Sequence, residues 1–173
     1  FASGLVVPIM AHAAASPSLG TAASFSILSG TQVTNVGATT ISGDVGISPA
    51  GGGGVTGWGT VTLGGVLHDS DLVAANAQTD KNTAYGTLGG LICGADGGTD
   101  YGAIVKSLNG LVLPPGVYCA NEFDLSGTLT LNGSATDVWV FKSASSLVVS
   151  GGAAAKVVFT GGGLSCDVWW RVV

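Results

Sequence analysis

Short segments in which apolar and polar residues alternate recur along the second half of the chain. They include "TLTLN" (128–132), "SLVVS" (146–150) and "KVVFT" (156–160), whose branched and aromatic residues are typical of half-buried strands. Further strands are predicted at 121–125, 138–142 and 168–172. Because glycine-rich segments separate these strands, the pattern predicts a mainly β protein with tight turns.

One part of this pattern is repeated. "TLTLNGSATDVWVFK" (128–142) is matched by "VVFTGGGLSCDVWWRVV" (157–173), with Val157 in the place of Leu129 and Asp167 in the place of Asp137. A repeat of 28 to 30 residues that contains three strands fits one coil of a three-sided parallel β-solenoid. In such a fold each coil covers the open strand edge of its neighbour.

The three predicted sides differ in polarity. "DVWVFK" and "DVWWRVV" are apolar on both faces, which indicates a side covered from both directions. On the second side the inward residues are predicted to be Leu129, Leu131, Val157 and Phe159, and the outward residues Thr128, Thr130, Asn132, Val158 and Thr160. On the third side Leu147 and Val149 are predicted inward and Ser146, Val148 and Ser150 outward, beside Asn121, Phe123 or Asp124 of "NEFDL".

A single helix is predicted in "DSDLVAANAQTDKNTAYGTLGG" (69–90). Asp69, Ser70 or Asp71 can cap its N-terminus, and Gly89-Gly90 can end it. A narrow stripe of mostly small residues is expected to face the sheet, and its members are Leu72, Ala75, Thr79, Thr83 and Gly86. The helix is expected on the doubly apolar side.

Composition narrows the range of functions. The chain has 173 residues, 46% hydrophobic and 9% charged, with a formal net charge of −5. Its five Lys and Arg residues are scattered, so the sequence offers no basic patch for nucleic acid or for an anionic membrane surface. The protein is expected to be a monomer that needs no protein partner.

The first fifteen residues, "FASGLVVPIMAHAAA", resemble the end of a secretion signal. An apolar stretch precedes Ala11-His12-Ala13 and Ala13-Ala14-Ala15, and both triplets have the form that a signal peptidase accepts. The alternative is an apolar first strand. We predict a signal remnant at 1–15, one solenoid domain at 16–173 and secretion of the mature protein.

Cysteine usage predicts one disulfide. Of Cys93, Cys119 and Cys166, at most one intrachain pair can form. Cys119 ends a strand and Cys166 opens the second copy of the repeat, so we expect these two to pair and Cys93 to be free.

The sequence contains few of the acidic, basic and nucleophilic residues that catalysis requires. Outside the predicted signal His68 stands alone, and Glu122 is the only glutamate. Asp44, Asp137 and Asp167 are interpreted as turn residues that bind backbone amides. "GGGGVTGWG" (51–59) lacks the Lys-Ser/Thr of a phosphate-binding loop. We therefore expect no enzyme activity, cofactor or metal, and the acidic or basic groove of a solenoid polysaccharide lyase is not visible.

Seven motifs in order resemble the microbial ice-binding proteins of the DUF3494 type. They are "LGTAASFSILSG" (19–30), "TTISGDVGISP" (39–49), "VTGW" (55–58), the helix, "LPPGVYCA" (113–120), "GSATDVWVFK" (133–142) and "SCDVWWRVV" (165–173). The resemblance implies a discontinuous right-handed β-solenoid of triangular section with one long helix alongside, secreted and bound to ice. The family pattern usually continues past the strand that matches "DVWWRVV", so part of the solenoid is expected to be missing here.

The predicted ice-binding residues lie on the two sides that carry little charge. Stacked strands repeat at about 4.8 Å and alternate side chains at about 6.7 Å, so outward threonines form a grid that can order water. The first choice is Thr128, Thr130, Asn132, Val158 and Thr160; the alternative is Ser146, Val148 and Ser150; Thr40 and Ser42 extend either one. The competing hypothesis is a structural or adhesive β-solenoid module that binds a protein or a sugar through the same surface.

Overall fold

The computed structural model describes residues 14–50 and 53–173. Most of the predicted secretion signal, 1–15, therefore lies outside the described residues. The chain divides into two compact units, which we call the N-terminal unit, Pro17–Thr87, and the C-terminal unit, Leu88–Val173 with the described residues up to Ser16. The prediction of one domain over 16–173 stays a prediction.

Fourteen strands and one α-helix make up the regular structure of the described residues. The strands are β1 Phe25–Ser29, β2 Val33–Thr34, β3 Thr39–Ile41, β4 Asp44–Ile47, β5 Val55–Thr56, β6 Val61–Leu63, β7 Leu67–Asp69, β8 Val105–Ser107, β9 Val112–Leu113, β10 Gly116–Leu125, β11 Thr128–Asn132, β12 Trp139–Val149, β13 Lys156–Thr160 and β14 Val168–Val172, and the helix is α1 Leu72–Gly90. Every pairing between these strands is parallel.

The N-terminal unit is a short three-sided solenoid. Its sheets follow the orders β1-β4-β7, β2-β5 and β3-β6, so each strand pairs with the strand one full coil further along the chain. The corner at Gly57 needs glycine, because its φ is +70° and a Cβ there would meet the carbonyl oxygen of Asn35 in the coil below. Close stacking of coils therefore accounts for part of the glycine content.

Helix α1 begins where the sequence predicts. Asp71 caps it, since its Oδ1 accepts a hydrogen bond of 2.8 Å from the backbone amide of Ala74. In the N-terminal unit the helix lies against β1, where the Gln78 side chain donates to the carbonyl oxygen of Ser29 at 2.7 Å. The first described residues of that unit are held by Asp80, which accepts hydrogen bonds from the amide and the hydroxyl of Thr21.

The buried face of the helix differs from the predicted stripe. Ala74, Ala77, Ala84 and Leu88 are buried. In the predicted stripe, by contrast, Leu72 is 80% exposed, and Thr79, Thr83 and Gly86 are also exposed. The Thr79 and Thr83 hydroxyls instead bond carbonyl oxygens one turn earlier. Small residues occur on both faces, so their spacing alone could not identify the one that packs.

The C-terminal unit repeats three sides in a fixed order. The covered side consists of 116–120, 139–143 and β14; the acidic side of β8, 122–125 and 146–149; and the threonine side of β9, β11 and β13. β10 and β12 each run from the covered side onto the acidic side, so two pairs of predicted strands are single bent strands. A register shift between Ala120 and Glu122 marks the bend.

Side chains on the inner faces of the three sides form one core. Its fully buried members include Leu108, Tyr118, Phe123, Leu129, Leu131, Trp139 and Phe141. The rings of Phe141 and Trp170 stack at 4.2 Å between centroids. A second cluster lies on the outer face of the covered side, where Leu88 and Val138 join Val117 and Val140. The prediction that this side is apolar on both faces is confirmed.

The predicted register of the covered side is wrong by one residue. Trp139 pairs with Val168 and Val140 with Trp169. The sequence repeat, which places Asp167 opposite Asp137, instead predicts Trp169 opposite Trp139. Trp139 consequently lies in the core and Trp169 in the outer cluster. A one-residue slip exchanges the two faces of a strand, and here both faces are apolar, so hydrophobicity could not fix the register.

The disulfide joins Cys93 to Cys119, and Cys166 is free and exposed. The predicted Cys119–Cys166 pair is therefore wrong. Cys119 lies beside Lys142, which in turn lies beside Arg171, so Cys166 belongs to a coil two strand spacings away, about 9.6 Å. A disulfide needs Cα atoms closer than about 7 Å. The segment after the helix brings Cys93 within 5.6 Å of Cys119 between Cα atoms.

Candidate functional site

The threonine side of the C-terminal unit is built on a regular strand pairing. β11 and β13 pair through five consecutive residues, from Thr128 with Lys156 to Asn132 with Thr160, and no bulge interrupts them. Their inward residues Leu129 and Leu131 are fully buried. Because the core fixes every second side chain, the outward side chains stand in straight columns.

Three rows of outward residues cross this side. The central row is Val112, Thr130 and Val158, with one residue from each of three stacked coils. The row toward the strand starts is Thr128 and Lys156, and the row toward the strand ends is Asn132 and Thr160. The predicted outward residues Thr128, Thr130, Asn132, Val158 and Thr160 are thus brought together on one surface.

Packing and hydrogen bonds restrict these side chains. Thr128, Thr130 and Val158 are half-buried between their neighbours, whereas Val112 at the first coil is 63% exposed. The Thr160 hydroxyl donates to Asn132 Oδ1 at 3.0 Å, which links two coils across the row. Threonine and valine are also stiff at χ1, so the surface keeps its shape without ordering long side chains.

The acidic side is chemically different from the threonine side. Glu122 lies in register with Ser146, and Asp124 with Val148. The Ser146 hydroxyl donates to the Glu122 carboxylate, so its hydrogen is directed to a charge within the protein. The alternative set Ser146, Val148 and Ser150 therefore lies on a side with two outward carboxylates, of which the sequence offered Asp124 as one alternative and did not offer Glu122.

The last coil of the acidic side is also less buried than predicted. Val149, predicted to point inward, is 62% exposed, although its partner Leu125 is buried. Among the described residues no further strand pairs with 146–149, so nothing covers that edge.

The covered side cannot present a flat surface to a large partner. Leu88, Leu91, Cys93 and Ala95 pack on its outer face. The Lys142 ammonium group is also engaged there, because it donates to the carbonyl oxygens of Gly89 at 2.8 Å and Leu91 at 2.6 Å. Burial, and then the nearby Arg171, lowers the pKa of Lys142. Of the three sides, only the threonine side is both open and free of outward carboxylates.

The N-terminal unit carries two threonine pairs of the same kind. Thr40 lies beside Thr62, and Ile41 beneath them is buried. Thr34 lies beside Thr56, and their hydroxyls are 3.2 Å apart. Ser42 follows β3 and is exposed, as predicted.

Sequence reasoning missed Thr34, Thr56 and Thr62. Thr34 and Thr56 lie in strands of two residues, too short for a periodic pattern, whereas Thr62 lies in "TVTLG" (60–64), whose alternation predicts a strand but does not show which strand it pairs with. The available signal was the repeated dipeptide Val-Thr at 33–34, 55–56 and 61–62, in which the valine points inward and the threonine outward.

Of the turn aspartates interpreted from the sequence, Asp44 and Asp137 accept hydrogen bonds from backbone amides, whereas Asp167 accepts a hydrogen bond from the Ser16 hydroxyl. His68 Nδ1 lies 2.7 Å from Asp71 Oδ2 at the start of the helix. The Ala74 amide and then His68 lower the pKa of Asp71, and the Val66 amide and then the Ser24 hydroxyl lower that of Asp44. Asp137 accepts from the amide and hydroxyl of Ser134. In the described part of the chain no three His, Cys, Asp or Glu side chains are grouped to hold a metal ion.

One depression in the C-terminal unit, of about 340 Å³, is lined by four apolar residues, Val157, Phe159, Val168 and Trp170, and by Ser165. None of these residues combines an acid with a base or a nucleophile with an activating group. Of the helices formed by the described residues, none has the length and apolar content required to cross a membrane.

The fold and this surface define a class: a parallel β-solenoid with an open threonine side whose strands pair in unbroken register and carry no outward carboxylate. The ice-binding-like family matches residues 27–173, and the chain belongs to that family. The chain is 38% identical over 161 residues to an ice-binding protein of Nostoc sp. (strain HG1), covering 86% of this chain and 56% of the relative. It is 33% identical to an ice-binding protein of a Colwellia species, covering 95% of this chain and 67% of the relative.

Solved structures agree with this assignment. An ice-binding protein from an Antarctic biological consortium superimposes with a TM-score of 0.83 at 32% identity, over 96% of this chain and 73% of that protein. An ice-binding protein from the Antarctic ascomycete Antarctomyces psychrotrophicus gives 0.79 at 33% identity, over 91% and 74%. The predicted fold class is confirmed: the chain is mainly β, with solenoid-like parallel sheets and one helix. It spans just over half the length of the Nostoc relative.

Proposed function

We propose that the chain is an ice-binding, antifreeze protein that adsorbs to ice crystals through outward threonine surfaces. The observation that supports this most directly is the unbroken register of β11 and β13, which aligns Thr130 with Val112 and Val158 on an open side. Membership of the ice-binding-like family supports it independently.

The physical basis is the order that such a surface gives to water. Side chains at spacings of about 4.8 Å and 6.7 Å approximate the repeat of oxygen atoms in ice. Threonine and asparagine groups hold bridging waters, while the valine and threonine methyl groups leave neighbouring water caged and not strongly solvated. Many weak contacts add across the surface, so adsorption needs no deep pocket, cofactor or metal.

Adsorbed molecules would restrict ice growth to curved fronts between them. Growth then slows at temperatures just below melting, which produces thermal hysteresis, and recrystallisation is inhibited. The protein meets ice only outside the cell, so the proposal includes secretion directed by the apolar N-terminal segment. It also includes action as a monomer, since each molecule presents its own surface.

The test is a pair of matched substitutions to tyrosine. Thr130→Tyr places a bulky ring at the centre of the threonine side, whereas Val105→Tyr places the same ring on the acidic side, at another outward β-branched residue. Thermal hysteresis and melting temperature are measured for both variants. We expect Thr130→Tyr to lose most of the hysteresis and to keep the melting temperature, and Val105→Tyr to keep both.

The opposite result would reject the threonine side. If folded Thr130→Tyr keeps full hysteresis while Val105→Tyr loses it, the acidic side binds ice. If neither the wild-type chain nor either variant inhibits recrystallisation, the proposed function is wrong and an adhesive role becomes the better hypothesis.

A further inference from the structure

The last residues of the predicted secretion signal, 1–15, and Ser16 after it are part of the C-terminal unit. Ala14 is only 5% exposed and packs in the cluster on the outer face of the covered side, with Leu88, Val117, Val138 and Val140. Val117 and Val140 are completely buried in this arrangement. Loss of Ala14 would therefore expose part of the apolar surface of that cluster to water.

Ser16 makes a second attachment, to the last coil. Its hydroxyl accepts a hydrogen bond from the Trp169 indole nitrogen at 3.2 Å and donates to Asp167 Oδ1 at 3.1 Å. These residues are separated from Ser16 by 153 and 151 positions in the sequence. Residues 14–16 thus form a short strap that fastens the beginning of the chain to β14 and the turn before it.

The sequence contains two triplets that a signal peptidase could read, and the strap distinguishes between them. Cleavage after Ala15, read from Ala13-Ala14-Ala15, would remove Ala14 from the mature protein. Cleavage after Ala13, read from Ala11-His12-Ala13, would leave the strap complete. Both triplets carry alanine at the two positions that the enzyme reads, so the triplets alone do not identify the cleaved bond, whereas retention of the strap favours the first.

We infer that the signal peptide is removed at the Ala13–Ala14 bond and that Ala14 is the first residue of the mature protein. Water adds across this amide under the action of the host signal peptidase, leaving a carboxylate on Ala13 and an amine on Ala14. The inference rests on the proposed secretion, and it is independent of which side binds ice.

The first experiment identifies the mature N-terminus. A start methionine and two lysines are placed before Phe1 to supply a basic leader, and the full chain is expressed in a bacterium that exports proteins. Intact mass and N-terminal sequencing are applied to the exported protein. We expect a single species that begins at Ala14; a species that begins at Ser16 would overturn the inference.

Two variants separate the triplets. Ala11→Tyr alters only the first triplet and is expected to abolish or greatly slow processing. Ala15→Tyr alters only the second triplet, at an exposed residue, and is expected to leave processing at Ala14 unchanged. Processing lost in Ala15→Tyr and kept in Ala11→Tyr would refute the inference. A chain that is not cleaved at all would refute it together with the proposed secretion, while ice binding is measured separately.

A folding measurement tests the strap directly. Chains that begin at Ala14 and at Ser16 are compared by thermal unfolding. The shorter chain lacks the buried alanine, so we expect its melting temperature to fall by at least about 2 °C. Equal melting temperatures would show that Ala14 contributes nothing to the mature fold and would remove the basis of the inference.

Discussion

Thr128 lies directly beside Lys156, one coil away, in the outward row of the threonine side at the strand starts. Lys156 is exposed, and among the described residues it forms no ion pair. An ammonium group holds its own hydration shell strongly, which conflicts with an ice-like arrangement of water. Lys156 therefore limits the ice-binding surface at the end of the strands where Thr128 lies.

Removing this charge should enlarge the surface. Lys156→Thr completes the row that begins with Thr128, and we expect thermal hysteresis to rise while the melting temperature changes little. Lys81→Thr, on the exposed face of helix α1, is the matched control and should leave hysteresis unchanged. A fall in hysteresis in Lys156→Thr would mean that the ammonium group itself contacts ice.

The pairing of the cysteines can be read from peptide masses. Digestion without reductant should yield a linked peptide that contains Cys93 and Cys119, and iodoacetamide should label only Cys166 in the folded protein. A linked peptide that contains Cys119 and Cys166 would contradict this arrangement.

Loss of the disulfide should destabilise the C-terminal unit. The bond closes a segment with a sequence separation of 26, and removing it by Cys93→Ser with Cys119→Ser should cost about 2–4 kcal/mol. Cys166→Ser is the control and should leave the unfolding free energy within about 0.5 kcal/mol of wild type. Chemical denaturation without reductant measures both variants.

Acid should destabilise the N-terminal unit through three carboxylates. Asp44, Asp71 and Asp80 accept hydrogen bonds that lower their pKa values; for Asp80 the donors are first the hydroxyl and then the amide of Thr21. A carboxyl whose pKa is lower in the folded state stabilises the fold above its unfolded pKa, about 3.9. That stabilisation is lost as the pH falls through the folded pKa values.

Asp80→Asn should remove part of this dependence. We expect the variant to be less stable than wild type at pH 7 and to lose less stability between pH 5 and pH 2. Asn76→Ala, at a neutral exposed position on the same helix, should keep the wild-type slope. Identical slopes in wild type and Asp80→Asn would show that the Thr21 contacts do not form in solution.

Alkali should act through Tyr118 in the C-terminal unit. Burial, and then the neighbouring Tyr101, raises the pKa of Tyr118, whose hydroxyl donates to the Pro114 carbonyl oxygen at 2.6 Å. In the unfolded chain this phenol ionises near pH 10, so above that pH the unfolded state is favoured and stability falls.

Tyr118→Phe is expected to reduce the loss of stability between pH 10 and pH 12. At pH 7 the same variant should be less stable by about 1 kcal/mol, because the hydrogen bond to Pro114 is lost. Urea denaturation of wild type and Tyr118→Phe at pH 7, pH 10 and pH 12 measures the two effects. A variant that loses stability above pH 10 as steeply as wild type would place the titrating group elsewhere.

Strand positions and faces were predictable where the two faces differ. In β11 leucine alternates with threonine and asparagine, and in β13 Val157 and Phe159 alternate with Lys156, Val158 and Thr160; the inward and outward assignments are confirmed. On the covered side both faces are apolar, so the same reasoning misplaced Trp169 by one residue. Contrast between faces carries register information, and uniform hydrophobicity does not.

Some residues of the candidate site were also predictable from the sequence, and others were not. Thr130 and its neighbours were predicted from one alternating segment and its repeat. Of the two carboxylates beside Ser146 and Val148, the sequence offered Asp124 only as one alternative and did not offer Glu122. β10 bends at Ala120–Glu122, and the sequence does not show which residue faces outward after a bend. Thr34 and Thr56 lie in strands too short to recognise, and the alternation in "TVTLG" does not show that Thr62 pairs with Thr40.

The sequence by itself determined the mainly β class, the three-sided repeat, the single helix with its Asp71 cap and the threonine side. Only the tertiary structure decided the Cys93–Cys119 pair, the buried face of the helix, the register of the covered side and the role of residues 14–16. The reason is distance along the chain. Local alternation and capping act over a few residues, whereas these four features depend on which coil stacks beside which, and that is fixed by the packing of segments far apart in sequence.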